Sequence, residues 1–136
     1  MNFSDFIKKG EVKKNFVNTE LIKSLIKNVK KDLFFLESVK INGDSSRKIM
    51  TNYYDSLRIV LEAIACSKGY KVYNHKAFVF FLKEIDENKI SIEFDRLRKI
   101  RNSINYYGED ISLEETTSNV KEIKKIINYL LGKYLK

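Results

Sequence analysis

The sequence contains no proline and a single cysteine, and its five glycines stand apart from one another. The absence of proline removes the commonest breaker of helices. A lone cysteine cannot form an internal disulfide, which favours a reducing compartment, and Cys66 is expected to be a small core residue rather than a nucleophile. Isolated glycines exclude the glycine-rich loops that cradle nucleotide phosphates.

Catalytic and metal-binding signatures are equally scarce. With one histidine and one cysteine, the chain offers no zinc-ligand spacing and no His-Glu-x-x-His motif. The Gly-x-Ser-x-Gly motif of serine hydrolases is missing too. We therefore expect neither a metal nor an organic cofactor.

Long apolar runs are also missing. The longest, such as 78–82, extend over a few residues, whereas a helix that crosses a bilayer needs about 20. The N-terminus lacks the apolar stretch of a signal peptide. The sequence thus predicts a cytoplasmic protein with no membrane partner.

The net charge of the chain is +8, which suits a nucleic-acid partner. The lysines are spread along the chain rather than massed in one block, and A/T-rich codons alone can produce an excess of lysine, asparagine and isoleucine. The charge is therefore compatible with RNA binding, and a generally solvated basic surface explains it equally well.

Apolar residues recur at helical spacing in four long segments, and short connectors separate them. The four segments are 19–39, 46–68, 92–107 and 113–135. A shorter helix is predicted at 75–86, with one or two further turns at 3–9. Thr19 is the expected N-cap of the first long helix, and Gly69 and Gly108 are placed to end helices.

Short connectors favour antiparallel neighbours. The sequence therefore predicts an all-α fold: an up-and-down bundle of four main helices plus a short fifth helix, forming a single domain over 1–136. Residues 1–18 are expected to be a peripheral N-terminal segment. We expect roughly 80% or more of the residues in helices, and no sheet.

The stretch 98–108, RKIRNSINYYG, departs from a plain amphipathic pattern. Counted at about 100° per residue, Arg101 lies at the border of the buried face, and Asn105 lies one turn further along the same edge. Tyr106 lies about 140° from Arg101. We therefore expect the two to converge only if the helix unwinds toward Gly108 or if they come from two protomers.

A half-buried guanidinium needs a carboxylate or phosphate partner. Arg101 either pairs with Asp55 or Glu62 of the second long helix, or remains available to a nucleic-acid phosphate. Asp55 and Glu62 lie near one face of that helix with Arg58 between them, and Arg58 and Glu62 are four residues apart. This predicts a solvated or intrahelical ion-pair stripe, with a polar site as the alternative.

Three stretches of the chain resemble the HEPN domains, small all-helical proteins of prokaryotic toxin–antitoxin and defence systems. Residues 52–78 resemble the family's long helix and its exit into a Gly-x-x-x-x-x-His-x-Ala turn. Residues 98–108 resemble its arginine-containing motif helix, and 113–135 its last helix. The resemblance covers roughly 19–135 and implies the same helical fold.

Many members of that family are metal-independent ribonucleases whose composite site forms at a homodimer interface. Others are non-catalytic partners of minimal nucleotidyltransferases, or RNA-binding modules. Carried over to this chain, the motif falls on Arg101 and Asn102, while Tyr106 or Tyr107 stands where the family has a histidine. A tyrosine, with a pKa near 10, is a poor base at neutral pH, but its hydroxyl can hydrogen-bond a phosphate.

The resemblance thus predicts an RNA-acting protein, a metal-independent endoribonuclease of a toxin or defence pair, dimeric through the 92–107 helices. Its catalytic residues would be Arg101, Asn102, Tyr106 and Tyr107, and its RNA contacts Arg98, Arg101 and Asn105. The alternative is a non-catalytic interaction or RNA-binding module that partners a minimal nucleotidyltransferase; an antitoxin is the other expected partner. His75, at the start of the short helix, is expected to be structural.

Overall fold

A computed structural model describes residues 1–135 as six helices and two short strands. In chain order these are α1 Phe3–Lys8, β1 Val12–Lys14, α2 Thr19–Ser38, α3 Ser46–Ser67, β2 Tyr70–Val72, α4 Lys76–Glu84, α5 Asn88–Tyr107 and α6 Leu113–Tyr134. The predicted all-α bundle is confirmed. Helices hold 73% of the chain, which is less than expected, and the expectation of no sheet is wrong, since β1 and β2 form a two-stranded sheet.

The sheet joins the N-terminal segment to the middle of the chain. β1 pairs antiparallel with β2, so that Val12 faces Val72 and Lys14 faces Tyr70. Each strand has three residues, which is too short for an alternating pattern to stand out in the sequence.

The N-terminal segment also enters the core, in contrast to the peripheral position expected for it. Phe3 and Phe6 are 3% and 2% exposed. The Phe3 ring lies 5.1 Å from the ring of Tyr70 and 5.5 Å from that of Phe81, between centroids. Residues 1–18 therefore contribute apolar area to the same core as the long helices.

Helix α3 lies at the centre of the bundle and packs against α2, α5, α6 and β2. Its core residues are fully or almost fully buried and recur at steps of three and four: Met50, Tyr54, Leu57, Leu61 and Ile64. This periodicity is the one that predicted the helix. Within residues 1–135, no helix combines the length and apolar character that crossing a bilayer requires.

Two helix starts differ from expectation. The N-cap of α2 is Asn18, whose Oδ1 accepts the Leu21 amide at 3.0 Å, rather than Thr19. Helix α5 begins at Asn88, four residues before the predicted start. In its first turn Ser91 is buried, and its hydroxyl donates to the Val79 carbonyl at 2.8 Å. In the sequence pattern, a buried serine whose hydroxyl is hydrogen-bonded cannot be told from a polar surface residue, so the pattern predicts a later start.

Candidate nucleic-acid site

A cleft of about 480 Å³ opens between the start of α4 and the second half of α5. Helix α5 lines it with Arg98, Arg101, Asn102 and Tyr106, and the connection from β2 into α4 lines it with residues 73–76. Glu11, before β1, closes one edge. Four of the residues predicted for the site thus share one cleft within a single chain.

Arg101 is largely buried in this cleft, with a side chain that is 16% exposed. Its guanidinium carbon lies 5.6 Å from the ring centroid of Tyr54 and 5.8 Å from that of Tyr106, so the cation packs between two aromatic side chains. Its nearest carboxylate oxygen belongs to Asp55, 3.8 Å from Nη2. Within the described chain, Arg101 Nε has no hydrogen-bond partner.

Arg101 and Tyr106 meet within one continuous helix, which corrects the expectation that they would converge only through unwinding or across two protomers. Helix α5 runs to Tyr107, and Arg101 Nη1 lies 3.5 Å from the Tyr106 hydroxyl. The angular count follows the direction of Cβ, whereas two long side chains five residues apart can reach toward each other along the surface.

Beneath the cleft lies a buried polar layer on α3. Tyr54 is fully buried, and within residues 1–135 its hydroxyl, like Arg58 Nε and Asp55 Oδ1, has no hydrogen-bond partner. Burial raises the pKa of the Tyr54 phenol well above its usual value, although the charges of Arg101 and Arg98 oppose the shift. The phenol is therefore neutral at physiological pH.

Arg58 and Glu62 form the predicted intrahelical pair, with Nη1 and Oε2 3.2 Å apart. Lys71 adds a second cation 3.0 Å from Glu62 Oε1. Glu62 is thus already paired twice, and Asp55 is the carboxylate that Arg101 approaches.

Arg98 is more firmly held than Arg101. Its Nη2 donates to Asp95 Oδ1 at 2.8 Å and its Nε to the same oxygen at 3.2 Å. Burial acts to raise the pKa of Asp95, but the hydrogen bonds from Arg98 and Lys99 outweigh it and lower the pKa below its usual value. Arg98 therefore adds positive charge to the cleft while Asp95 holds its Nε and Nη2.

His75 belongs to the same cleft, although sequence reasoning gave it a structural role. Its ring centroid lies 6.3 Å from that of Tyr54, the ring on which Arg101 also packs. Burial, together with the positive charges of Arg58 and Arg101, lowers the pKa of His75 to about 4. The imidazole is therefore neutral at pH 7. The sequence places His75 only at a predicted helix start after Gly69. Its nearness to Arg101 depends on the packing of α4 against α5, which the sequence pattern does not show.

The other predicted site residues lie elsewhere. Asn105 is exposed, and Tyr107 is 78% exposed; neither lines the cleft.

Cys66 is partly exposed rather than in the core and lines a separate cleft of about 370 Å³ beside Glu62 and Tyr70. Across residues 1–135, no three His, Cys, Asp or Glu side chains are grouped so as to hold a metal ion.

Comparisons of the chain with protein-family models, with curated proteins and with solved structures give no match. The likeness to the HEPN domains therefore rests on residues 52–78, 98–108 and 113–135.

Proposed function

We propose that this protein is a cytoplasmic RNA-acting component of a toxin or defence pair, which binds RNA in the cleft between α4 and α5 and cleaves it without a metal. The observation that carries the proposal is the incomplete pairing of Arg101. Its Nε has no partner within the described chain, and its nearest carboxylate oxygen is 3.8 Å away. A buried guanidinium donor without a partner is costly unless a ligand satisfies it.

A phosphate suits this place better than a neutral ligand. Lys76, Arg98 and Arg101 line the cleft against one carboxylate, that of Glu11. The guanidinium of Arg101 can give two parallel N–H donors to a phosphate, a geometry that lysine cannot copy.

The neighbouring side chains supply the other contacts that RNA needs. Tyr106 is 70% exposed beside the guanidinium, so its ring can stack on an unpaired base and its hydroxyl can donate to a phosphate or a leaving oxygen. Asn102 lines the same cleft and can orient the phosphate through its amide. In this assignment Arg101 holds the phosphate, and Asn102 and Tyr106 position it.

The proposal includes a homodimer that packs through the second half of α5. Tyr107 lies outside the cleft of its own chain and is 78% exposed. An exposed tyrosine at the end of a helix suits the centre of an isologous interface. In such a dimer Tyr107 and Asn105 would act in the partner's site.

A second candidate function is a non-catalytic module that partners a minimal nucleotidyltransferase. Phe34 and Phe35, next to each other on α2, are 82% and 62% exposed. Exposed aromatic side chains of this kind favour a protein partner. In this case the cleft would bind RNA without cleaving it, or would not bind RNA at all.

The test is RNA binding and cleavage by purified protein in the presence of EDTA. A fluorescent single-stranded RNA of mixed sequence should bind the wild type, and Arg101→Ala should weaken binding at least tenfold. The variant should also flatten the salt dependence by about one unit of log–log slope, as expected for the loss of one phosphate contact.

Arg96→Ala is the matched control, because Arg96 is on the same helix, lies outside the cleft and pairs with Glu93 and Asn119. It should retain affinity and slope within about twofold. If the two variants weaken binding equally, RNA binds through the general positive charge of the surface rather than in the cleft. Binding without any cleavage would favour the non-catalytic module.

A further inference from the structure

His75 is the one titratable imidazole of the chain, and neither the proposed dimer nor the arginine motif gives it a role. It lines the same cleft as Arg101 and Tyr106 and stands in the loop that leads from β2 into α4. The position that the HEPN motif gives to histidine holds tyrosine here. The cleft nevertheless contains a histidine, supplied by a different element.

We infer that His75 is the proton carrier of this cleft: it accepts the proton of an RNA 2′-hydroxyl whose adjacent phosphate is held by Arg101. This inference rests on the proposed function. It adds His75 to the residues of that site. It also explains how a site without the motif histidine can still cleave RNA.

The step balances without a metal or an oxidant, and it consumes no water. The 2′-hydroxyl gives its proton to the free imidazole nitrogen, the O2′–P bond forms and the P–O5′ bond breaks. The leaving 5′-oxygen takes the proton of the Tyr106 hydroxyl, and the imidazolium then returns its proton to the Tyr106 oxygen through solvent. The products are a 2′,3′-cyclic phosphate and a 5′-hydroxyl end.

The groups that face His75 explain why it is neutral before RNA binds. Burial is the largest cause of its lowered pKa. Arg58 of α3 and Arg101 and Arg98 of α5 also act against a positive charge on the ring, and Glu62 of α3 opposes them. Other charged or titratable side chains around the cleft are Glu11, Lys76, Tyr54, Tyr73, Tyr106 and, beyond Arg101, Asp55.

A neutral imidazole can accept a proton, and a bound phosphate changes how strongly it does so. A phosphodiester on Arg101 places a negative charge in the cleft and offsets the arginines that lower the pKa of His75. We therefore expect the basicity of the ring to rise when RNA is in place. This coupling gives the proposal a readout that a merely structural histidine would not show.

The experiment uses this single imidazole. Proton–nitrogen NMR of the uniformly labelled full chain follows the titration of His75 alone and with a mixed-sequence 2′-O-methyl RNA decamer, which binds as RNA does but has no nucleophilic hydroxyl. The titration midpoint of His75 should lie well below 6.5 in the free protein and should rise by about one unit or more with saturating decamer. Arg101→Ala should raise the midpoint without any RNA, whereas the control Arg96→Ala should leave it unchanged.

Cleavage supplies the second readout. His75→Gln should bind RNA within about threefold of the wild type and should cleave it roughly a hundredfold or more slowly, the usual weight of a general base. The wild-type products should carry 2′,3′-cyclic phosphate ends. The NMR titration of the wild type remains a valid test even if His75→Gln does not fold.

Each other outcome overturns the inference. If the decamer binds and the titration midpoint of His75 does not move, the bound phosphate does not affect His75. The proposed RNA site then remains, without a role for His75. If His75→Gln cleaves at the wild-type rate, or if the wild type binds RNA and never cleaves it, there is no proton-carrier role. If no RNA binds at all, the proposed function itself fails and this inference falls with it.

Discussion

Arg101 Nη2 and Asp55 Oδ1 lie 3.8 Å apart across the contact between α5 and α3. That separation is too long for a hydrogen bond, and the Asp55 side chain is 40% exposed. A loose, partly solvated pair of this kind contributes about 1 kcal/mol or less, whereas breaking a tight buried pair costs about 3–5 kcal/mol. The internal carboxylate therefore satisfies the donors of the Arg101 guanidinium only in part, which leaves donors for a phosphate.

The first prediction follows from this geometry. Arg101→Lys and Asp55→Asn should each change the free energy of unfolding by about 1 kcal/mol or less. The two should differ in RNA binding. Arg101→Lys loses the two-pronged phosphate contact and should bind at least fivefold more weakly, while Asp55→Asn removes a competing carboxylate and should bind as well as the wild type or better. Urea unfolding and fluorescence titration measure the two effects.

The opposite pattern would show that the pair is structural. In that case both variants would lose about 3–5 kcal/mol of stability, and the RNA affinity of each folded variant would equal that of the wild type.

The long helices could be predicted from the sequence because each buries one face, which imposes a period that an apolar pattern displays. The strands could not, because three residues on each side give no period to detect, and their pairing joins positions about 60 apart in the chain, such as Val12 and Val72. The burial of Phe3 and Phe6 follows from that pairing and was missed with it.

The candidate site shows the same division. Arg101 and Asn102 could be predicted because they lie in one helix and match a short motif. His75 is 26 positions earlier, and its approach to the cleft depends on how α4 packs against α5. Local periodicity carries no information on that packing. The sequence alone therefore predicts only a structural role for His75.

A second prediction concerns Glu87, which is 7% exposed at the junction of α4 and α5. Its carboxylate accepts hydrogen bonds from the Tyr134 hydroxyl at 2.7 Å, the Tyr129 hydroxyl at 3.0 Å and Lys133 Nζ at 3.2 Å. Burial acts to raise the pKa of Glu87, but the hydrogen bonds from Tyr134, Lys133 and Tyr129 outweigh it, so the pKa lies below its usual value.

Glu87→Gln should lower the free energy of unfolding at pH 7 by about 1–3 kcal/mol, because charge-assisted hydrogen bonds are lost. The folded pKa is depressed, so the contribution of Glu87 is complete above the pKa of the unfolded chain, near 4.5, and is lost as the pH falls through the folded pKa. The gap between wild type and variant should therefore close in acid. Thermal melts from pH 7 to pH 3 measure it.

Glu37→Gln is the control, because Glu37 is 59% exposed and, within residues 1–135, pairs only with Lys124, at 3.5 Å. It should cost about 0.5 kcal/mol at most. A Glu87→Gln variant as stable as this control would mean that the three donors do not act on a charged carboxylate.

A third prediction tests the docking of the N-terminal segment. Gly69 has φ +86°, its carbonyl accepts the Asn15 amide at 2.8 Å, and a Cβ at this position would lie 3.2 Å from the Asn15 carbonyl oxygen. Gly69→Ala should destabilise the protein by about 2–3 kcal/mol, through backbone strain and crowding together. Hydrogen exchange of the β1 amides should also become faster, since the strand beside Asn15 is displaced.

Gly108→Ala provides the comparison, because Gly108 has φ +65° but, among residues 1–135 other than its chain neighbours, no atom lies within 4 Å of its added Cβ. It should cost about 1 kcal/mol, the strain of the left-handed conformation alone, and should leave β1 protected. Equal losses from the two substitutions would show that the contact with Asn15 adds nothing.

The last prediction concerns the proposed dimer and whether Tyr107 acts in the partner's site. The protein should have the mass of a dimer by light scattering at micromolar concentration. Tyr107→Ser should weaken that dimer, because it removes an exposed ring from the proposed interface. Phe34→Ser, which removes an equally exposed ring from α2, should not. A dimer that depends on Phe34 instead would place the contact on α2 and separate it from the cleft.

Mixed dimers then show in which chain Tyr107 works. Arg101→Ala removes the phosphate contact, and Tyr107→Phe removes a hydroxyl while keeping the ring. If Tyr107 acts across the interface, a mixed dimer of these two variants contains one site with both defects and one intact site. Where each variant alone has lost cleavage, mixing the two should therefore restore up to about a quarter of the wild-type rate, since half of randomly mixed dimers are hybrids and each has one intact site of two. If Tyr107 acts within its own chain, both sites of every hybrid are damaged and mixing restores nothing.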